Sequence, residues 1–350
     1  MKSQIFAVDG RTRLAQAIAN QFNTMFDDSL TVGKIKIDKF SDGEMEPAFE
    51  ESIRGEKVYL LCSTNTPDNV VALNLAIDAA KRASAQEIIA VVPYYGYARQ
   101  DRKSHLRGAI GARVMANMLI ANGLDRIIVV DLHAAQIQGM FSIPVDHIEG
   151  HTIFTKYLRK IIASGEVKFP LLCSPDAGGM KRVEDFIKKL GVPAVSIYKH
   201  RDKPNQVATM ELMGDVIGKD VIIIDDMIDT GGTLKKAAEL IMERGARTVR
   251  AVASHAVLSN NGILKLAASP LTEVILSDTL PTAEEFDVQD EMDIETARHM
   301  ADGAYVPASD LKITNLSCAR IIAKVINAIN NGVSAAELQE EAEVADKNVN

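Results

Sequence analysis

The chain has 350 residues, enough for two domains of ordinary size, and its 47% hydrophobic and 25% charged content excludes wholesale disorder. Lys+Arg 39 against Asp+Glu 47 leaves a net charge of −8, which argues against broad binding to nucleic acid or an anionic membrane, since both demand a basic face. No apolar run approaches the roughly 20 residues that span a bilayer. The N-terminus runs into a strand-like segment without a signal peptide's apolar core, and Cys62, Cys173 and Cys318 stand too far apart for a disulfide framework or zinc ribbon. The expectation is a cytoplasmic protein.

In chain order, Lys34-Ile35-Lys36-Ile37 alternates as a strand does, and short β-branched runs then predict strands over 58–62, 88–92, 127–130, 171–174, 194–197, 221–224, 249–253 and 273–276. Amphipathic stretches between them predict helices over 70–83, 112–121, 152–163, 180–190, 234–244 and 318–329. Most of the strands are continuous apolar runs, the mark of a sheet covered on both faces, so the fold class is α/β with mainly parallel sheets. Residues 75–92 can be laid on 236–253 at a constant offset, each reading as helix, small-residue break and buried strand. This weak repeat suggests two similar domains, drawn at 1–150 and 151–333, with an acidic tail over 334–350. A stretch over 282–302 is rich in Asp and Glu and reads as an insertion without recognisable chemistry.

The most informative stretch is 221–233, VIIIDDMIDTGGT. Four apolar β-branched residues deliver Asp225 and Asp226 at a strand's carboxyl end, and Asp229-Thr230-Gly231-Gly232-Thr233 turns into a helix. Consecutive glycines let the backbone approach an anion, amides at the helix start point at it, and Thr230 and Thr233 add hydroxyls, Thr233 being placed as an N-cap. Three aspartates would repel a bare phosphate. A sugar phosphate fits better, its hydroxyls donating to the carboxylates while its phosphate rests on the amides.

This loop resembles the ribose-phosphate loop of the type I phosphoribosyltransferase fold, and the rest of the chain narrows the resemblance to the ribose-phosphate pyrophosphokinase family, over residues 5–280 and again over 316–329. The resemblance implies two tandem phosphoribosyltransferase-like domains. It implies ATP and ribose 5-phosphate as substrates, 5-phosphoribosyl 1-diphosphate and AMP as products, and Mg²⁺ as cofactor. Asp225, Asp229, Thr230, Gly231, Gly232 and Thr233 would hold ribose 5-phosphate.

Further motifs follow the family. Phe40-Ser41-Asp42-Gly43-Glu44, by itself a solvated turn with an aromatic anchor, resembles the segment that contacts adenine from a neighbouring subunit. Phe40, Ser41, Asp42 and Glu44 thereby become ATP-site residues, and a homo-oligomer, expected as a hexamer, becomes necessary. The run 94–103, YYGYARQDRK, is too small a basic patch for nucleic acid and matches a motif in which Arg99 and Gln100 hold ATP. Asp131-Leu132-His133 resembles a signature whose His serves the Mg²⁺–ATP site, although Met140 stands where the family usually has an aromatic. Pro175-Asp176 resembles a segment whose Asp lies near a second Mg²⁺, an ion that favours a few oxygen ligands plus phosphates and water.

Residues 198–205, YKHRDKPN, are too polar for core. The family has a mobile loop there whose Lys and Arg, two residues apart, close over the transferring group; Lys199 and Arg201 match that spacing, with His200 between them. Phosphoryl transfer needs positioning and cationic stabilisation, which such a loop supplies. No residue declares itself a general base. Where relatives carry Ser-Arg-Glu-Pro near an ADP- and phosphate-responsive site, this chain has Leu106-Arg107-Gly108-Ala109, which implies altered regulation. Two alternatives share parts of the pattern: a nucleobase phosphoribosyltransferase would need only the phosphate loop, and a non-catalytic regulatory homologue would lack the Lys199–Arg201 pair.

Overall fold

The computed structural model describes residues 2–200, 209–281 and 311–334, and the chain divides into two compact units. The first holds β1 (Ser3–Ala7), β2 (Leu30–Val32), β3 (Ile35–Lys39), β4 (Met45–Phe49), β5 (Lys57–Leu61), β6 (Glu87–Val92), β7 (Arg126–Val130) and β8 (Val145–Ile148). Six of these form a parallel sheet in the order β2-β1-β5-β6-β7-β8, while β3 and β4 pair apart as an antiparallel hairpin. Helices α1 (Thr12–Met25), α2 (Pro67–Arg82) and α3 (Gly111–Ala121) cover the sheet. Its strands are buried along nearly their whole length, as continuous apolar runs require.

The second unit contains α4 (His151–Ala163), β9 (Pro170–Ser174), α5 (Met180–Leu190), β10 (Ala194–His200), β11 (Thr209–Met213), β12 (Asp220–Ile228), α6 (Gly232–Glu243), β13 (Thr248–Ala256), α7 (Gly262–Ala267), β14 (Leu271–Ser277) and β15 (Lys312–Leu316). Its sheet runs β11-β10-β9-β12-β13-β14-β15, parallel except for β11. Alternation along β12 feeds two cores: Val221 and Ile223 join the one beneath α6, and Ile222 and Ile224 join the one beneath α4 and α5.

The internal repeat has a structural counterpart. Helices α2 and α6 end at Arg82 and Glu243, and strands β6 and β13 begin at Glu87 and Thr248, so each helix end and strand start falls at the same spacing in both copies.

One boundary differs from the sequence reading. The final helix α8 (Ala319–Asn331) belongs to the first unit, which takes residues from 317 onward, although the sequence assigned them to the second. The reason is an unmet apolar face. Ile321, Ile322, Val325 and Ile326 are buried where α8 packs on α1. Polar pins at its end fix the position: Lys57 Nζ donates to the Ile329 carbonyl at 3.3 Å, and Tyr59 Oη donates to Asn330 Oδ1 at 2.9 Å. The acidic stretch over 282–302 and nearly all of the tail lie outside the described residues. Among the described residues no helix is long and apolar enough to cross a membrane.

Candidate functional site

In both units the motif residues, those of the β3–β4 hairpin excepted, collect where the parallel strands end, the edge at which open α/β sheets form their ligand crevices. In the second unit β12 runs further than expected, to Ile228, because β13 continues to pair with it: Asp225 lies opposite Ala253, and Ile228 opposite Ala256. The twin aspartates are therefore strand residues with opposite facings. Asp226 is buried, with Arg182 Nη1 of α5 3.7 Å from its Oδ1. The Asp226 amide donates to Asp225 Oδ1 at 2.9 Å. Burial, reinforced by the adjacent Asp226 carboxylate, pushes Asp225 well above the usual carboxylate range.

The loop that follows is built for close approach. Gly231 has φ +70° and serves as the N-cap of α6, which begins at Gly232 rather than near residue 234. Thr233 is thus an exposed residue of the first turn and not the N-cap, and the N-cap Gly231 has no side chain to cap this helix. The amide of Lys235 bonds the Gly231 carbonyl at 2.9 Å, while the amides before it lie in the first turn, where no helical acceptor exists. A Cβ on Gly231 would stand 2.8 Å from the Gly262 carbonyl oxygen, whereas one on Gly232 would meet only Thr230 Oγ1 at 3.9 Å. Gly231 is needed for the fold; the face of Gly232 is open.

A second loop braces this one. Leu258, Asn260 and Asn261 all have positive φ (47°, 50° and 59°), conformations that cost about 1–3 kcal/mol each and persist only when the surroundings hold them. The Leu258 amide donates to the Ile228 carbonyl at 2.9 Å, and the Ser259 hydroxyl donates to Asp229 Oδ1. A Cβ on Gly262 would stand 2.7 Å from the Asp229 carbonyl oxygen.

Elsewhere on this edge, Asp176 follows β9 half-buried, and its Oδ1 accepts the Gly179 amide at 2.9 Å, which orders the turn. Lys199 lies within β10 opposite Met210, so this residue belongs to a strand rather than to the loop the sequence suggested; antiparallel pairing with β11 extends β10 to His200. Arg201 and the rest of that loop lie outside the described residues. An open cavity of about 430 Å³ lies against β10 and β11, lined by Ala177, Ser196, Ile197, Tyr198, Glu211 and Met213.

In the first unit, Phe40, Ser41, Asp42 and Glu44 form the exposed turn of the β3–β4 hairpin, closed by the Phe40 amide on the Glu44 carbonyl at 2.8 Å. Phe40 is 52% exposed. Arg99 and Gln100 are exposed in a short 3-10 turn after β6, entered through Tyr97 at φ +63°. His133 is exposed after β7, and Asp131 at φ +42° turns the chain there. His147 Nε2 accepts the Leu132 amide at 3.0 Å and holds that turn.

Sequence reasoning missed Arg182, His147 and Ser259. Each acts through a partner distant in sequence, and no local spacing announces it.

Residues 3–123 match the family model described as the N-terminal domain of ribose phosphate pyrophosphokinase, and residues 146–264 match the phosphoribosyl transferase domain. A ribose-phosphate pyrophosphokinase of Porphyromonas gingivalis is 45% identical over 79% of this chain and 86% of that protein. One from Caldanaerobacter subterraneus is 43% identical over 81% and 87%. The crystal structure of phosphoribosylpyrophosphate synthetase from Mycobacterium smegmatis superposes with TM-score 0.79 at 35% identity, covering 95% of this chain and 100% of that one. With both family domains matched in order and relatives this similar along most of its length, the chain belongs to the ribose-phosphate pyrophosphokinase family.

Proposed function

We infer that the family's reaction, transfer of the β,γ-diphosphoryl group of ATP to the 1-hydroxyl of ribose 5-phosphate, is carried out here at the strand ends of the second unit. The hydroxyl oxygen attacks the β-phosphorus, the bond to the α-phosphate oxygen breaks, the hydroxyl proton passes to water, and 5-phosphoribosyl 1-diphosphate and AMP result. The observation that carries this reading is the uncapped start of α6 with carboxylates beside it: amides for the 5-phosphate, and Asp225 and Asp229 for ribose hydroxyls. Thr230, Gly231, Gly232 and Thr233 complete the cradle. Lys199, in β10 on the same edge, meets charge developing on the transferred oxygens, and Arg201 braces the sugar phosphate. No side chain is assigned as general base.

The first unit supplies ATP contacts. Arg99 and Gln100 hold the nucleotide, and Phe40, Ser41, Asp42 and Glu44 reach the adenine of a neighbouring subunit in a homo-oligomer, a hexamer. An aromatic ring presented on an exposed hairpin tip suits that use. Mg²⁺ is the cofactor, and the donors fit sparingly: Asp176 offers a half-buried carboxylate, while His133, whose nitrogen is a poor direct ligand for a hard cation, suits a metal-bound water or a phosphate oxygen. When bound, Mg²⁺ neutralises charge on the triphosphate. The protein works in the cytoplasm, with no nucleic acid or membrane partner.

The test is direct. Incubation with Mg²⁺-ATP and ribose 5-phosphate is expected to give AMP and 5-phosphoribosyl 1-diphosphate in equal amounts by anion-exchange chromatography. Formation of a nucleotide from a free nucleobase and 5-phosphoribosyl 1-diphosphate instead, or no turnover with either pair, would overturn the reading.

A further inference from the structure

We infer that Ser259, on the loop after β13, is a positioning residue for the ribose 5-phosphate site: its hydroxyl fixes the carboxylate of Asp229. This rests on the sugar-phosphate reading of the α6 loop given above. Asp229 sits one residue beyond β12, where ladder hydrogen bonding has ended and the chain bends toward Gly231. A half-buried carboxylate at such a bend has two torsions to settle, and a hydroxyl ligand needs its lone pairs in one direction. Ser259 donates to Oδ1, which sets the plane of the group.

The loop carrying Ser259 is held in place independently of that bond. The Leu258 amide is tied to the Ile228 carbonyl at 2.9 Å, the Gly262 amide to the Ser259 carbonyl at 3.0 Å, and Lys265 Nζ to the Asn260 carbonyl at 3.2 Å. Gly231 and Gly262 then interlock: a Cβ on either would stand within 2.8 Å of a carbonyl oxygen of the other loop. Three left-handed non-glycine residues in four positions show that the conformation is imposed by this docking. A strained, docked loop that places one hydroxyl on one carboxylate is a device for preorganisation, so removing the hydroxyl should weaken sugar-phosphate binding while sparing ATP.

The experiment compares wild type, Ser259→Ala, Ser259→Thr and Ser259→Cys in the full-length protein with Mg²⁺-ATP. Ser259→Ala is expected to raise the KM for ribose 5-phosphate about tenfold with the KM for ATP unchanged. Ser259→Thr, which keeps the hydroxyl, is expected to restore the wild-type value, and Ser259→Cys, a weaker donor, to fall between. A wild-type KM for ribose 5-phosphate in folded Ser259→Ala, or equal increases for both substrates, overturns the positioning role. Should Ser259→Ala not fold, a wild-type KM in Ser259→Cys has the same meaning. Absence of AMP formation by the wild type would instead overturn the functional reading beneath it, and the two failures are distinct.

Discussion

The two units follow one strand order through their parallel strands, β2-β1-β5-β6-β7-β8 in the first matching β10-β9-β12-β13-β14-β15 in the second, yet the same crevice is closed in one and open in the other. In the first unit, the helix after the central strand is capped by its own chain. Thr66 accepts the Asn69 amide at 3.1 Å, Asn69 Nδ2 donates to the Ser63 carbonyl at 2.9 Å, and Asp68 places a carboxylate in the first turn. The segment 94–96 then fills the space: the Gly96 amide bonds Thr64 Oγ1 at 2.7 Å, and a Cβ there would stand 1.9 Å from the Thr64 carbonyl oxygen. Arg11 is also buried there, its Nη1 donating to Ser63 Oγ at 3.2 Å while Asp9 accepts the Ser63 amide at 2.7 Å. In the second unit α6 has no side-chain cap and two glycines where the first has side chains. An open helix start is therefore not a property of the fold. It requires first-turn amides that no cap residue takes up, the feature on which the proposed phosphate cradle rests.

The largest effect expected from breaking this contrast lies on the open side. Lys199→Ala should lower kcat by about 10²–10³ with the KM for ATP nearly unchanged, as for a group that acts in the transition state. Steady-state kinetics decide it, and near-normal turnover would remove Lys199 from the chemistry.

Adding one methyl to each crevice sharpens the comparison. Gly96→Ala forces a Cβ into the Thr64 carbonyl and should destabilise the first unit by about 1–3 kcal/mol, seen in urea unfolding. Gly232→Ala meets open space, so stability should hold or rise, while the KM for ribose 5-phosphate increases several-fold as the cradle narrows. Loss of stability in both, with no substrate-selective change, would mean that the two crevices do not differ as described.

Asp225→Asn separates stability from function within the open crevice. In the folded protein Asp225 holds its proton to higher pH than in the unfolded chain, chiefly because of burial and then because of Asp226. Its contribution to stability is thus present at low pH and is lost as pH rises through and above the ordinary carboxylate range. At neutral pH the substitution removes the charge of a half-buried carboxylate that sits beside a second one, and the ligand-free protein should gain stability, seen as a higher Tm. The same change should raise the KM for ribose 5-phosphate. A lower Tm across pH 5–8 would show that the ionised form is the better accommodated one.

The smallest effect belongs to the closed crevice. Thr66→Ala removes the α2 cap and should cost about 1 kcal/mol, with both KM values unchanged. A shift in the ribose 5-phosphate KM would mean that the closed crevice also serves the substrate.

Sequence by itself determined a good deal of this protein. Continuous apolar runs such as 88–92 and 221–224 marked buried parallel strands, and the succession of acids, Thr and glycines at 225–233 marked a tight turn from a strand into a helix, because both signals are local and each follows from one period or one turn. Helix α1 escaped that reading: its N-cap residue makes no side-chain capping bond, and it packs on β1 and β2 and on α8, which comes from the far end of the chain. Where β12 and β10 stop, which residue caps α6, and which unit claims α8 were decided by neighbours: the length of β13, the pairing of β11, the φ of Gly231 and the bare face of α1. The same holds for Arg182 on Asp226, His147 on the turn before His133, and Ser259 on Asp229. A local pattern can name the group that faces a ligand. The group that holds it still comes from another strand or helix, and only folding brings the two together.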